Sequence, residues 1–402
     1  MSSKLILLGA GKIGDAILNL LSHSGDYQLT VADRDPTRLQ YVKQSAFPNV
    51  KTVQADLSDP HAVAELISGH DVTLSACPYF LTPVIAAAAK QAKSHYFDLT
   101  EDVESTRVVK QLAVNAATAF VPQCGLAPGF ISIVANDVAS RFEQLRDVSM
   151  RVGALPTYPS NALKYILTWS TDGLINEYCN SCEAIVDGKL RETSALEEIE
   201  HFSLDGVDYE AFNTSGGLGT LCESLAGKVQ NLNYKTVRYP GHRDLIKMLV
   251  RDLQLGQLER RHILKEVMEA SIPITKQDVV LVFVSVCGMR DGRLEQETYA
   301  RKIYSQNVNG QLLSAIQLTT ASGICAMVDL VVQGKLPNVG LVRQEQATLA
   351  DFLSNRFGRY YAAEPDHCGG TEKPFLARTK PAVLGQTSKL QPSPQVFARM
   401  IP

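Results

Sequence analysis

Short apolar runs alternate with amphipathic stretches through the first third of the chain. Segments with the pattern of strands are Lys4–Leu8, QLTVAD (28–33), VKTVQADL (50–57), HDVTLSAC (70–77), SHYFDL (94–99) and TAFVPQC (118–124). Helical spacing lies between them, at DAILNLLSH (15–23), Pro60–Ile67, Thr82–Lys93 and Glu104–Ala117. This alternation predicts a doubly wound parallel sheet with helices on both faces. Ligands bind such sheets beyond the carboxyl ends of the strands.

The pattern changes after residue 124. Pro128-Gly129 predicts the start of a helix that runs to about Phe142, and DVSMRVGAL (147–155) has the pattern of a strand. Three Asp-Gly pairs, at 187–188, 205–206 and 291–292, lie between extended segments, and Asp-Gly is a strong hairpin signal. Helices are expected from about Asp244 to Ala270. The apolar segment TASGICAMVDLVVQ (320–333) predicts a helix that packs back on the first domain.

These patterns predict an α/β protein of four segments. An N-terminal Rossmann doubly wound parallel sheet is expected over 1–123, followed over 124–315 by a substrate and dimerisation domain. The second domain should be α/β, with a mixed, largely antiparallel sheet. Helices over 316–357 should pack on the first domain, and a tail rich in Pro and Gly should follow over 358–402.

The first strand runs directly into GAGKIG, residues 9–14, which opens a helix. Gly9 permits the tight turn, Gly11 lets a pyrophosphate approach the backbone, and Gly14 allows close packing of helix on strand. The helix N-terminus presents free N–H groups and partial positive charge to the phosphates. Asp33 ends the next strand, about 20 residues further on, which completes a dinucleotide-binding fingerprint.

Asp33 is expected to accept hydrogen bonds from the adenosine ribose, and its charge would repel a 2′-phosphate. NAD is therefore the expected cofactor, although Arg34 and Arg38 leave NADP as the alternative. The strand ends supply the rest of the site. The expected cofactor-binding residues are Gly9, Gly11, Lys12, Ile13, Gly14, Asp33, Arg34, Asp56, Leu57, Ala76 and Cys77.

Composition narrows the classes of partner and compartment. The net charge of −3 gives no sign of nucleic-acid or membrane-surface binding. The apolar run from Val279 is shorter than the roughly 20 residues of a membrane helix, and the N-terminus shows no signal peptide. Eight cysteines without regular spacing predict reduced thiols, a cytoplasmic location and no metal site. A homodimer is the expected assembly.

The segment RVGALPTYPSNALKYILTWSTDGLINEYCNSCEAIVDGKL (151–190) and the loop CGLAPG (124–129) resemble the saccharopine dehydrogenase family. Within it, EAFNTSGGLGTL (210–221) followed by NYKTVRYPGH (233–242) is most similar to the lysine 6-dehydrogenase branch. The resemblance implies a nicotinamide-binding domain, a substrate domain of mixed sheet, and hydride transfer at a carbon that bears nitrogen.

The Gly-rich segment EAFNTSGGLGTL raises the question of what it holds. In saccharopine dehydrogenases the stretch that matches Asn213-Thr214 carries an arginine, which resembles a clamp for the substrate's extra dicarboxylate arm. Here both residues are neutral, as expected for a site that takes free lysine. The backbone at Gly216, Gly217 and Gly219 would approach a small polar ligand closely.

The proposed reaction is oxidative deamination of the lysine side chain, which needs a proton acceptor for the amine. His242 is the first candidate base, because imidazole titrates near neutral pH and a Pro-Gly turn precedes it. Asp98 and Glu101 are the alternatives, as proton acceptors or as counter-ions for a substrate amine. Candidate substrate contacts are Tyr79, Cys124, Thr214, Ser215 and Gly216, with Arg238 or Lys235 for the carboxylate. A saccharopine dehydrogenase and a non-catalytic NAD(P)-sensing protein stay open as alternatives.

Overall fold

The computed structural model describes residues 2–45 and 47–362, and its N-terminal part contains the predicted sheet. The elements in chain order are β1 (Ser3–Leu8), α1 (Lys12–Ser22), β2 (Tyr27–Asp33), α2 (Pro36–Gln44), β3 (Lys51–Gln54), α3 (Pro60–Ile67), β4 (Val72–Ser75), α4 (Thr82–Ala92), β5 (His95–Asp98), α5 (Val103–Ala113) and β6 (Ala119–Val121). Each strand begins and ends within a few residues of its predicted bounds. Asp35 and Asp59 accept backbone N–H bonds at the starts of α2 and α3, each followed by a proline that suits the first helical position.

These six strands pair in the order β3-β2-β1-β4-β5-β6, and every pairing is parallel. The central strand β1 is buried from Leu5 to Leu8, as expected for a parallel strand that is covered by helices on both faces of the sheet. The chain order reverses between β1 and β4, which places the binding crevice at the carboxyl ends of these two strands. The predicted doubly wound parallel sheet is therefore confirmed.

The second part of the chain is built around a mixed sheet. Its elements are α6 (Phe130–Ala139), β7 (Gln144–Pro156), α7 (Thr171–Cys179), β8 (Cys182–Val186), β9 (Lys189–Thr193), β10 (Glu200–Leu204), β11 (Val207–Asn213), α8 (Leu221–Ser224), β12 (Asn231–Arg238), α9 (His242–Lys247), α10 (Arg261–Ser271), β13 (Asp278–Arg290) and β14 (Arg293–Tyr304). The strands order as β10-β11-β12-β7-β13-β14, with the β8–β9 hairpin attached to β12. Only the β12–β7 pairing is parallel among the described strands of this sheet.

All three predicted Asp-Gly hairpins are present, at the β8–β9, β10–β11 and β13–β14 turns. Both residues of each pair have positive φ, for example Asp187 at 50° and Gly188 at 74°, as the hairpin turn requires. The helices expected between Asp244 and Ala270 are α9 and α10. α9 passes into a π-helical turn at Met248–Asp252, and α10 begins only at Arg261.

The chain returns to the first domain after β14. It forms a small hairpin of β15 (Gln306–Val308) and β16 (Gln311–Leu313), then α11 (Ala315–Val332), β17 (Gly340–Leu341) and α12 (Leu349–Ser354). α11 begins with a capping box at Ser314 and packs against α1 and β13, so the predicted return to the first domain is confirmed. It is long and apolar enough to cross a membrane by composition, but most of it is buried within the protein.

β17 pairs in parallel with β6 and adds a seventh strand to the first sheet, which was not predicted. The proposed tail does not begin irregularly at residue 358. Gly358–Tyr361 forms a 3₁₀ helix, and the Tyr361 ring is buried and stacks 3.9 Å from that of Phe130. The remainder of the proposed tail, residues 363–402, lies outside the described residues.

Candidate active site

The glycine loop between β1 and α1 has the geometry of a phosphate site. A Cβ at Gly9 would lie 2.8 Å from the Ala76 carbonyl oxygen, and one at Gly14 would lie 2.1 Å from the Gly9 carbonyl oxygen. Both positions therefore require glycine for backbone packing. A Cβ at Gly11 would meet nothing within 4 Å, and no side chain of the described residues caps α1 there. The loop thus presents free backbone N–H groups to open space, which fits a pyrophosphate.

Asp33 ends β2 beside this loop. Its Oδ2 accepts the Ala10 N–H at 2.7 Å, and its Oδ1 accepts the Asp35 N–H at 2.9 Å. The carboxylate is only half-buried, so its remaining lone pairs can accept ribose hydroxyls. Arg34 and Arg38 are exposed next to it, and neither forms an ion pair within residues 2–45 and 47–362.

The other predicted cofactor residues differ in their surroundings. Asp56 accepts hydrogen bonds from the backbone and hydroxyl of Ser58, so it shapes the turn after β3. The side chain of Leu57 is buried in the apolar cluster beneath α3 and α4, which corrects the prediction that it contacts cofactor. Burial, with the nearby Asp33 charge, raises the pKa of Cys77 to about 12, so this residue stays a neutral thiol.

Lys12 and Ile13, in the first turn of α1, face the rest of the protein. The ammonium group of Lys12 donates to the Leu167 carbonyl oxygen at 3.3 Å, and burial lowers its pKa. Leu167 precedes α7 in the second domain. The Ile13 side chain is half-buried and packs against the main apolar core. The hydrogen bond from Lys12 thereby links the start of α1 directly to the segment that leads into Trp169 and α7.

The loop after β5 meets α7 at Glu101. A Cβ at Gly173 would lie 2.5 Å from Oε1 of Glu101 and 2.7 Å from the Trp169 ring. On the opposite side, a Cβ at Gly216 would lie 2.3 Å from the Glu101 carbonyl oxygen. The absence of side chains at Gly173 and Gly216 therefore leaves room for Glu101. Burial, and the nearby Asp102, Asp98 and Asp172 charges, raise the pKa of Glu101 to about 7.

Glu177 lies one helical turn beyond Gly173 on the same face of α7. Its side chain is 6% exposed. Burial raises its pKa to about 8, while the positive charge of Arg238 opposes that shift and the charge of Glu101 adds to it. Glu177 therefore lies near both the Arg238 guanidinium and the Glu101 carboxyl.

Arg238 ends β12, and its position is set by two aromatic residues. Its Nε donates to the Tyr178 hydroxyl at 3.1 Å, Nη1 donates to the Val237 carbonyl, and the guanidinium lies 4.8 Å from the centre of the Tyr165 ring. The side chain is 3% exposed. Lys235 is three residues before Arg238 in the same strand, so its side chain points to the opposite face of the sheet from that of Arg238. There it forms an ion pair with Glu200, which rules it out as the partner of the substrate carboxylate.

The structure does not support His242 as the base. Its ring is 1% exposed, with Nδ1 2.7 Å from the Leu163 carbonyl and Nε2 3.0 Å from the Tyr178 hydroxyl. Burial and then the Arg238 charge lower the pKa of His242 to about 3. A neutral ring that donates from Nδ1 accepts the Tyr178 hydroxyl proton, which leaves the Tyr178 oxygen free to accept from Arg238. In this position His242 orients Tyr178 and Arg238.

Two further expected site residues hold the strand ends together. The buried Asp98 accepts the backbone N–H groups of Thr100 and Gln123 at 3.0 and 2.9 Å, and burial raises its pKa to about 6. Both bonds end on Oδ1, while Oδ2 has no partner among the described residues, so the proposed role of Asp98 in proton transfer stays a prediction. Cys124 is fully buried, its thiol donates to the Val121 carbonyl, and the Gln344 amide donates to it. Cys124 therefore does not offer its side chain to a substrate.

The Gly-rich segment packs against α7 rather than standing open. The Ser215 N–H donates to the Glu177 carbonyl, and its hydroxyl donates to the Asn176 carbonyl. A Cβ at Gly217 would lie 2.2 Å from the Tyr234 ring, so this glycine is needed for packing. Thr214 is 2% exposed, and its buried hydroxyl has no partner among the described residues.

Thr214 and the glycines of this segment line a cavity of about 90 Å³, which also touches Tyr234. At about 30 Å³ for each water, this volume suits a few waters or a small polar group. Tyr79, in the turn after β4, is half-buried, and burial together with Asp102, Asp172 and Glu101 raises its pKa. Tyr79 is therefore near Glu101, and the roles of Tyr79 and Thr214 as substrate contacts stay predictions.

Glu177, Trp169 and Tyr178 were not among the predicted site residues. The spacing of Gly173 and Glu177, four residues apart, would have placed both on one helical face. The start of that helix was also predictable, because serine is a favoured helix cap. In the structure Ser170 caps α7 by accepting the Gly173 N–H at 3.1 Å. Both features lie within residues 151–190, the segment that resembles the saccharopine dehydrogenase family.

The parallel sheet, its glycine loop and the charged groups at the domain junction define a two-domain nucleotide-binding protein. Residues 5–121 match the family model described as saccharopine dehydrogenase NADP binding domain, and residues 125–358 match that of the saccharopine dehydrogenase C-terminal domain. The chain belongs to the saccharopine dehydrogenase family. This match confirms the predicted family and a nicotinamide dinucleotide as the cofactor.

Curated relatives carry the same family name at low identity. The chain is 24% identical over 263 residues to saccharopine dehydrogenase [NADP(+), L-glutamate-forming] of Saccharomyces cerevisiae, covering 62% of this chain and 58% of that protein. It is 23% identical over 256 residues to the protein of the same name from Schizosaccharomyces pombe, covering 61% and 57%. The chain thus spans a little over half the length of these relatives.

A solved structure shares the fold. Apo histidine-tagged saccharopine dehydrogenase (L-Glu forming) from Saccharomyces cerevisiae superposes with a TM-score of 0.69 at 18% identity, covering 85% of this chain and 94% of that one. At this identity the similarity establishes the arrangement of the two sheets, and the predicted combination of a parallel and a mixed sheet is confirmed.

Proposed function

We propose that this protein is a nicotinamide-dependent dehydrogenase that acts on a C–N bond of an amino acid, and specifically a lysine 6-dehydrogenase. The observation that carries the proposal is the buried Glu177, which interacts electrostatically both with the Arg238 guanidinium and with Glu101, and Glu101 follows the carboxyl end of β5. A guanidinium is suited to a substrate carboxylate, and an acidic group is suited to an amine. An amino acid presents both charges.

The reaction balances with water as the only other reactant. The lysine side-chain ammonium loses one proton, and a bound nicotinamide dinucleotide supplies the acceptor for the hydride that leaves C6. Water then adds to the resulting iminium carbon, and ammonia leaves as ammonium. The products are the semialdehyde, ammonium, the reduced dinucleotide and one proton.

Glu101 is the proposed proton acceptor. A carboxyl group whose pKa is about 7 can take a proton and release it again near neutral pH, as general base catalysis requires. Its position over Gly173 and beside Trp169 limits its rotation, because the α7 backbone and the indole ring enclose it. Tyr79 adds a half-buried hydroxyl-bearing ring on the adjoining loop.

Arg238 is the proposed carboxylate partner. The Tyr178 hydroxyl and the Val237 carbonyl take two of its nitrogens, so the guanidinium keeps one orientation while its remaining N–H groups are available. His242 supports this arrangement through Tyr178, which makes it a positioning residue. Preorganisation of this kind favours binding, because less side-chain freedom is lost when substrate arrives.

Lysine is preferred over saccharopine on the charge of the Gly-rich segment. Asn213 and Thr214 are neutral where saccharopine dehydrogenases are expected to carry an arginine, and an additional dicarboxylate arm would lack its partner there. The curated relatives are named for saccharopine, and their names support saccharopine as the second candidate substrate. Activity with saccharopine but without lysine would establish that alternative.

NAD is the proposed cofactor, with NADP as the second choice. Asp33 keeps a partly exposed carboxylate next to the glycine loop, and its charge opposes a 2′-phosphate. The exposed Arg34 and Arg38 are the groups that would receive such a phosphate. A homodimer and a cytoplasmic location stay predictions.

The direct test is formation of the reduced dinucleotide, followed by absorbance with the full chain. The panel comprises lysine, saccharopine and ornithine, each with NAD and with NADP. The proposal expects the highest kcat/KM for lysine with NAD. Tight dinucleotide binding without turnover of any amino acid would contradict the proposal and favour a non-catalytic sensing protein.

A further inference from the structure

We infer that Glu177, together with Glu101, binds the side-chain ammonium group of the substrate and thereby selects amino acids whose side chain ends in an amine. The inference rests on the proposed amino-acid dehydrogenase function and assigns selectivity to a residue of α7. It follows from the position, burial and missing partner of Glu177.

The position of Glu177 is set by helical geometry. Gly173 and Glu177 are four residues apart in α7, so they lie on one face of the helix, while Trp169 precedes the cap residue Ser170. That face meets Glu101, because the Gly173 backbone leaves room for the Glu101 carboxyl and the Trp169 ring closes the other side. Glu177 therefore continues the same surface by one turn, towards β12.

Glu177 is more than nine-tenths buried, and no hydrogen-bond or ion-pair partner of its carboxyl group occurs among residues 2–45 and 47–362. Its backbone carbonyl is different, since it accepts the Ser215 N–H. Buried carboxyl groups are normally paired with a cation or with hydrogen-bond donors. A substrate ammonium, which carries a positive charge and several N–H donors, supplies what this carboxyl lacks.

Arg238 is the nearby cation, but it does not form an ion pair with Glu177. Its Nε and Nη1 are directed to Tyr178 and to the Val237 carbonyl. Arg238 and Glu177 thus stay separate groups, and an amino acid with a carboxylate at one end and an ammonium at the other supplies a partner for each. The ammonium would favour the ionised form of the Glu177 carboxyl, which burial otherwise keeps protonated near neutral pH. The charged and titratable groups near Glu177 are Arg238, Tyr234, Tyr165, Tyr178, Cys182 and Glu101.

The hydroxyl of Thr214 is a second buried polar group without a partner among the described residues. Thr214 precedes Ser215, whose N–H donates to the Glu177 backbone carbonyl, so this segment runs alongside the α7 residue that carries the carboxyl. A hydroxyl can accept from an ammonium without adding charge. A side chain that ends in a methyl group would leave both groups unpaired, and one that ends in a carboxylate would meet two acidic residues.

The experiment uses the only tryptophan of the chain, Trp169, which lies in the site. Its fluorescence follows binding of lysine, norleucine and 2-aminoadipate to the full chain. These ligands share an amino-acid head and differ at the end of the side chain. The wild-type protein should bind lysine about tenfold or more tightly than norleucine, and 2-aminoadipate most weakly. Quenching by NADH is the control for an intact cofactor site.

Glu177→Gln keeps the shape and removes the charge, so the preference for lysine over norleucine should fall about tenfold while NADH binding is unchanged. Glu177→Asp, which keeps the charge, should retain part of the preference. Glu266→Gln, an exposed residue on α10, is the matched control and should bind all three ligands like wild type. An unchanged preference in Glu177→Gln, with NADH still bound, would overturn the inference.

The outcomes separate this inference from the proposed function. Selective lysine binding that depends on Glu177, without formation of NADH, would uphold the ammonium site and contradict the dehydrogenase. Efficient oxidation of an amino acid without a side-chain amine would uphold a dehydrogenase and overturn the ammonium site.

Discussion

Gly173 and Glu101 are in direct contact across the domain junction, since a Cβ at Gly173 would lie 2.5 Å from Oε1 of Glu101. Gly173 comes from α7, the second helix of the substrate domain, and Glu101 comes from the loop that follows β5 of the dinucleotide domain. The contact therefore couples the position of the proposed base to α7. It also explains why this helix carries a glycine in its first turn, where glycine is otherwise unfavourable.

Gly173→Ala should displace the Glu101 carboxyl and lower kcat/KM by about 10- to 100-fold, because a misplaced catalytic group costs rate steeply. Initial rates and thermal unfolding of the variant measure this. In a Glu101→Ala background the same substitution should destabilise the fold less, since the clashing group has been removed. Equal destabilisation in both backgrounds would contradict the contact.

His242→Gln should raise KM for the amino acid while leaving the pH dependence of kcat unchanged. The physical reason is that His242 orients Arg238 through Tyr178, and its pKa of about 3 keeps it neutral at working pH. Initial rates across pH measure both quantities. Loss of one ionisation from the kcat profile, with a decrease of about 10²–10⁴-fold in kcat, would instead restore His242 as the base.

Stability should depend on pH through Glu177. Its pKa is raised to about 8 in the folded protein, above the value near 4.3 of an exposed glutamate, so the folded state binds the extra proton between these values. Stability should therefore fall as pH rises from about 4.3 to 8, because the carboxyl must ionise in a buried position.

Glu177→Gln should remove that contribution, and its stability relative to wild type should increase from pH 5 to pH 8. Urea unfolding at several pH values measures the difference. Glu65→Gln is a suitable control, since this residue is exposed and its removal should shift stability equally at all pH values. If the difference in the free energy of unfolding between Glu177→Gln and wild type did not change with pH, the raised pKa of Glu177 would be contradicted.

Asp33→Ala should weaken NAD binding by about 1–3 kcal/mol, as expected when a charged hydrogen-bond partner is lost, and should narrow the gap to NADP. Part of the loss should come from the glycine loop, because Asp33 also fixes the Ala10 N–H. Titration with both dinucleotides measures the change. A wild-type protein that already prefers NADP would mean that Arg34 and Arg38 outweigh Asp33.

The dinucleotide loop and the three Asp-Gly hairpins were predictable because local chemistry specifies them. Gly14 is required by a backbone contact within one strand–loop–helix unit, Gly9 has the positive φ of the tight turn, and the hairpin pairs need positive φ wherever they occur. The short β17 was not predictable, since its two residues pair with a strand more than 200 positions earlier, a relation without a local pattern.

The catalytic residues were harder to predict because burial decides their chemistry. His242 follows a Pro-Gly turn like an exposed helix start, yet Tyr178, Tyr165 and Phe212 surround its ring. Glu177 looks like an ordinary helical glutamate, and only the packing of α7 against β12 and the Glu101 loop buries it. Tertiary packing, rather than local sequence, sets the pKa of both groups.

The central claim is that hydride leaves C6 of lysine, and isotope transfer tests it most directly. Lysine that carries deuterium at C6 is incubated with the protein and NAD, and the dinucleotide is then examined by mass spectrometry. The account predicts deuterium in the reduced nicotinamide ring, and none when the label is at C2. Reduced dinucleotide that takes its deuterium from C2, or that carries none from either position, would contradict the account.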